Sequence, residues 1–123
     1  MTIMAELNKR EFPRANYPCS LTLWQGNSFA TIMTKTANIG AGGLLVYLNQ
    51  SLMIGAKVEV RIEFSKEESL ECNGIVIRCH ENFKDSENSN GSYSVAIIFE
   101  GLEESKVVYL KEVVEKILTR ERN

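Results

Sequence analysis

The sequence has little of what covalent and metal-centred chemistry is built from. Its 123 residues hold three cysteines and a single histidine. Cys19, Cys72 and Cys79 are odd in number and form no C-x-x-C pair, which argues against both a disulfide framework and a zinc knuckle and fits a reducing compartment. His80, next to Cys79, has no carboxylate arrangement of the metal or triad kind around it and reads as an ordinary strand residue. No nucleophile-base pair or carboxylate dyad stands out, so the expectation is a protein that is not an enzyme and carries no cofactor. Long apolar runs are missing as well. Met1 to Glu6 meets charge and polarity too soon for a signal-peptide core, and nothing approaches the ~20 apolar residues of a membrane span. A cytoplasmic chain without membrane insertion is expected. A basic excess is also absent, since 14 Lys and Arg against 16 Asp and Glu leave a net charge of −2. General nucleic-acid binders carry the opposite balance, so no nucleic-acid partner is expected and any anion site has to be local.

What remains is an ordinary soluble composition, 44% hydrophobic and 24% charged, of a length that suits one domain with one core. From Cys19 to Phe99 the chain reads as strands between turn signals. Ser20 to Trp24 and Phe29 to Lys35 alternate polar with apolar around the turn Gln25-Gly26-Asn27-Ser28, a hairpin pattern. Leu44 to Leu48 follows a glycine-rich stretch, and Val58 to Phe64 is the cleanest period-two run. Leu70 to His80 contains Gly74, a predicted bulge or bend, and Tyr93 to Phe99 is the last strand. Glu81 to Ser92, rich in Asn, Ser, Asp and Glu, reads as a loop, and its Asn90-Gly91-Ser92 as part of that loop rather than a glycosylation acceptor. Trp24 and the other aromatics are predicted to pack in the core. After Gly101 the period changes to that of a helix, with Val107, Leu110, Val113, Val114, Ile117 and Leu118 on one stripe. The pattern predicts a mainly β fold: a small antiparallel six-stranded barrel with a C-terminal helix over about 102–120.

Two short polar motifs are candidates for chemistry. The first is Arg10-Glu11-Phe12-Pro13-Arg14, preceded by Lys9. Pro13 biases Phe12 to extended backbone, so the two arginine alpha carbons stand at most ~13 Å apart and both guanidinium groups can converge on one dinucleotide-sized anion. Solvated charges on a polar lead-in segment are the plainer reading of the same residues. The second motif is Asn38-Ile39-Gly40-Ala41-Gly42-Gly43. It provides an amide and a glycine-rich turn with room for close approach, although Asn and Gly are also plain turn residues that serve wherever positive φ is needed. It fits neither a dinucleotide fingerprint nor a triphosphate loop. Arg78, which interrupts an apolar run, reads either as a ligand contact or as an outward charge on an alternating strand.

In order, spacing and placement these motifs resemble those of the PilZ domain family of cyclic di-GMP receptors, which carries R-x-x-x-R before the barrel and [D/N]-x-S-x-x-G on its surface. The resemblance extends over Gly43-Leu44-Leu45-Val46, Gly74 to Arg78, Tyr93 to Phe99 and the helix. It implies a flexible ligand-switch segment over 1–16 and a barrel domain over 17–123. It implies that Arg10 and Arg14 bind phosphate and guanine groups of cyclic di-GMP, that Asn38 reads the guanine edge, and that Gly43 closes the turn. Lys9 and Arg78 add ligand contacts. Asn38 offers one carbonyl to the guanine N1–H and N2–H donors where Asp offers only acceptors. Gly40 stands at the motif's serine position, which removes one hydroxyl bond worth about 0.5–1.5 kcal/mol. The function implied is a receptor that changes conformation on binding the second messenger and signals to a protein effector in motility, pilus, biofilm or exopolysaccharide control. Its rivals are a PilZ-like adaptor with weak or no ligand binding, which Gly40 favours, and a single-strand-binding barrel, which the acidic balance opposes.

Overall fold

The computed structural model describes residues 16–82 and 93–122. Six strands precede one helix: β1 (Pro18–Gln25), β2 (Ser28–Ile39), β3 (Gly43–Leu48), β4 (Lys57–Glu63), β5 (Ser69–Glu81), β6 (Tyr93–Glu100) and α1 (Glu104–Arg122). All pairings are antiparallel, and the strands close into a barrel in the order β1-β2-β3-β6-β5-β4. Closure pairs each strand on both sides over part of its length, while residues 28–35 of β2 pair with β1 alone.

The period-two pattern sets the inner face. In β4, Val58, Val60 and Ile62 are buried while Lys57, Glu59, Arg61 and Glu63 are exposed. Leu21 on β1, Leu44, Val46 and Leu48 on β3, Leu70 and Val76 on β5, and Val95 and Ile97 on β6 complete the core. Each such side chain contributes about 1.5–3 kcal/mol by leaving water. The predicted helical stripe holds: Leu110, Val113, Val114 and Ile117 are buried, and Leu110 and Ile117 join the barrel's core cluster. A run of edge-to-face rings, Tyr17 to Phe64 at 5.0 Å and Phe64 to Tyr109 at 6.0 Å between centroids, ties the start of the barrel to the helix. Among the described residues no helix is long and apolar enough to cross a membrane.

Two sequence expectations are corrected. Gly74 pairs in register with Val58 and Phe99, so it is no bulge. It is glycine because a Cβ there would lie 2.6 Å from Ile97 Cγ2 and 3.1 Å from the Ile98 carbonyl oxygen. The β5 bulge falls at Ile77 instead, between Val76 and Arg78. Trp24 is not in the core: it is 53% exposed and packs on Phe29, its cross-strand partner beside the hairpin turn, at 4.8 Å. The turn itself is as expected, with Gly26 at φ 63 supplying the left-handed position.

Core burial also makes the fold alkali-sensitive. Burial pushes the Cys19 thiol from its ordinary 9.0 up to about 12, with a smaller contribution from Cys72. Cys72 is pushed to about 11, again by burial, partly offset by the charge of Lys106. The folded state therefore holds protons that the unfolded chain releases, so stability is full below pH ~9 and falls as pH rises toward 11–12. The urea midpoint is expected to drop between pH 8 and 10.5, and Cys19→Ala is expected to flatten that drop. An equal slope in the variant would contradict the assignment.

Candidate functional site

Two candidate residues on the barrel, Asn38 and Arg78, are turned to its outer face by two β-bulges. Thr36 pairs with Val46 and points inward; it is 0% exposed. Simple alternation would turn Asn38 inward too. The register shift between Thr36 and Asn38 adds Ala37 as an extra residue, so Asn38 pairs with Leu45 on the outer face while Ile39 pairs with the buried Leu44. The same happens on β5. Val76 points inward and pairs with Ile97, and the extra residue Ile77 lets Arg78 pair with Ala96 on the outside.

The two bulges together align one outer row across four strands: Asn38, Leu45, Ala96, Arg78. Three interstrand steps separate its ends, ~14 Å between alpha carbons. The floor between the two polar ends is Leu45 and the small Ala96. Among the described residues Arg78 has no carboxylate partner, the ion pairs there being those of Arg61 with Glu63 and Glu71.

The loop after Asn38 is shorter than the sequence motif implies. Asn38 and Ile39 still belong to β2, and Gly43 already belongs to β3, which leaves Gly40, Ala41 and Gly42 as the connection. The Gly40 N–H donates to the Gly43 carbonyl at 2.9 Å, and the Phe99 N–H donates to the Gly42 carbonyl at 2.9 Å. Neither Gly40, Gly42 nor Gly43 has positive φ. Gly43 is required by close approach: a Cβ there would lie 2.3 Å from the Ile97 carbonyl oxygen.

The start of the described chain is fastened to β2. Tyr17 N–H donates to Thr36 Oγ1 at 2.9 Å, and Thr36 N–H donates to the Tyr17 carbonyl at 2.9 Å. This pair of hydrogen bonds pins Tyr17 to β2 two residues before Asn38. Beside it, Asn16, Met33, Lys35, Ala37 and Tyr47 line a surface groove of about 460 Å³. Lys9, Arg10, Arg14 and nearly all of the expected switch segment 1–16 lie outside the described residues, as does most of the expected loop 81–92. Of the candidate residues, the register brings Asn38 and Arg78 to one outer row, Gly43 stands two positions before Leu45 on β3, and Gly40 is buried in the connection. Thr36, Lys35 and Tyr47 were not singled out in the sequence. For Thr36 the signal was present, a polar residue at an inward position of an alternating strand.

A family profile described as the PilZ domain matches residues 8–115. The chain belongs to the PilZ domain family. The match starts ahead of Lys9 and so takes in both arginines as well as the barrel. No curated protein sequence matches the chain. Several solved structures share the fold. One, titled as the PilZ domain with c-di-GMP of YcgR from Escherichia coli, superposes at a TM-score of 0.72 with 14% identity, covering 90% of both chains. The Bacillus subtilis inhibitor of motility MotI/DgrA gives 0.70 with 18% identity over 92% of this chain and 53% of its own. MrkH of K. pneumonia gives 0.71 with 10% identity over 93% of this chain and 50% of its own. The chain thus spans about half the length of the latter two, and its likeness to all three is one of PilZ fold.

Proposed function

We propose that this PilZ domain is a cyclic di-GMP receptor that binds the messenger on the outer row between β2 and β5 and passes the signal to a protein effector. The observation that carries the reading is the pair of bulges. Each breaks the alternation of a core strand and turns a polar side chain, Asn38 or Arg78, onto the same outer row. Bulges that re-aim side chains are a recurrent device beside binding sites. In sequence Arg14 precedes Tyr17 by three residues, and Tyr17 is fastened to Thr36 on β2. Guanidinium groups of Arg10 and Arg14 pair with phosphate oxygens or with guanine O6 and N7, Lys9 adds positive charge, and Asn38 accepts from the guanine edge. The YcgR structure of the same fold, a PilZ domain with c-di-GMP, supports this ligand, and the motility inhibitor of the same fold supports an effector in motility control.

Isothermal titration of the full chain with cyclic di-GMP, GMP and a short oligonucleotide tests the proposal. Saturable uptake of cyclic di-GMP alone is expected. Uptake of none of the three leaves the adaptor reading, which Gly40 at the motif's serine position favours.

Gly40 gives a further expected outcome. Its N–H is already taken by Gly43, so the backbone does not replace the missing hydroxyl, and its φ is open to any residue. Gly40→Ser is expected to tighten cyclic di-GMP binding by up to roughly tenfold. A folded serine variant that binds like wild type would show that no ligand atom lies within reach of that hydroxyl.

A further inference from the structure

We infer that the groove beside Asn38 seats one purine ring of the ligand, with Tyr47 as its stacking face and Lys35 as a phosphate contact. The inference rests on the cyclic di-GMP reading and adds residues that belong to neither sequence motif.

Tyr47 is the next outward residue on β3 after Leu45, the partner of Asn38. Its alpha carbon therefore lies ~8 Å from that of Asn38, one strand over and two residues along, within the span of a single nucleotide. Its side chain is half-buried. The strand beneath it is fixed by Thr34, whose hydroxyl donates to the Tyr47 carbonyl at 2.9 Å. On the neighbouring strand β2, Lys35 is exposed and has no acidic partner among the described residues. Met33, 74% exposed, presents a polarisable thioether to the same space, a surface suited to a flat aromatic ligand.

Size and position agree. At about 460 Å³ the groove falls within the ~300–1,000 Å³ of small-molecule sites. Asn16 forms its edge. Stacking on a tyrosine is also how a neutral ring is held without any further hydrogen-bond partner.

Cyclic di-GMP affinity of the full-length wild type, Tyr47→Leu, Tyr47→Phe and Lys35→Gln, each with its thermal midpoint, tests the inference. Tyr47→Leu keeps apolar bulk and removes the π face, and is expected to weaken binding about tenfold or more, with Tyr47→Phe within about twofold of wild type. Lys35→Gln is expected to weaken binding several-fold and to flatten its salt dependence. A folded Tyr47→Leu with wild-type affinity, or a Tyr47→Phe that loses as much as Tyr47→Leu, overturns the stacking assignment while the receptor reading stands. If Tyr47→Leu does not fold, Lys35→Gln decides, and unchanged affinity and salt dependence there overturn the seat. Wild-type protein that takes up no cyclic di-GMP removes the receptor reading and this inference with it.

Discussion

Arg10→Ala and Arg14→Ala are each expected to weaken cyclic di-GMP binding about 10- to 100-fold and to leave the thermal midpoint nearly unchanged. A charge-assisted hydrogen bond contributes about 1.5–3 kcal/mol, and each 1.4 kcal/mol is tenfold in affinity. Little change in stability is expected because both are charged residues that precede the first strand, which starts at Pro18. Lys in place of either arginine is expected to recover only part of the loss, since an ammonium matches neither the bidentate phosphate geometry nor the guanine edge. Titration and a thermal melt of the same preparations check both halves. Affinity unchanged in both alanine variants would remove these residues from the site.

Gly43→Ala is expected to do the reverse and strike the fold first. The added methyl would stand 2.3 Å from the Ile97 carbonyl oxygen and 3.0 Å from the Ile98 alpha carbon, both of them backbone atoms of β6. Neither can swing aside as a side chain would, so β3 has to part from β6 at the pair Gly43 and Ile98. The cost expected is about 3 kcal/mol, a fall in midpoint of roughly 10 °C or more. Because the Gly40–Gly42 connection hangs on that pair, ligand affinity falls with it. Gly42→Ala is the internal control: nothing lies within 4 Å of a Cβ there and its φ is not positive, so little change is expected. A Gly43→Ala protein as stable as Gly42→Ala would mean that the close approach is not rigid.

That contrast also marks how far the sequence could be read. Six strands, the hairpin turn at Gly26 and the apolar stripe of the helix follow from residue periodicity, because each is a local pattern that burial enforces directly. The motif glycine at 43 was legible as a glycine that matters, but its reason, a neighbouring backbone from a strand some fifty residues later, is a tertiary fact. The bulges at Ala37 and Ile77 left no compositional trace, since a bulge is a two-against-one count between strands and neither residue is special in itself. Gly74 attracted the bulge assignment because glycine weakens a strand, whereas its place is dictated by the Ile97 and Val60 side chains. Trp24 misled for a related reason. Its alternation was read as facing the core, but in the observed register it pairs with Phe29 on the outer side of the hairpin. Asn38 and Arg78 were found separately, and only the register reveals that they share a row.

Central to the account is that cyclic di-GMP draws the R-x-x-x-R segment onto the outer row of the barrel. That segment carries little apolar surface, and fixing a residue costs about 1–2 kcal/mol, so charge-assisted bonds to the ligand are what would hold a few positions of it in place. Amide hydrogen exchange of the full chain, with and without saturating cyclic di-GMP, tests this most directly. The expected result is fast exchange from Met1 to about Ala15 without ligand, slowing around Lys9 to Arg14 and at Asn38 to Gly43 on its addition, with the strands protected throughout. Strong protection of Lys9 to Arg14 before any ligand is added, or ligand uptake that changes exchange at neither place, would contradict it.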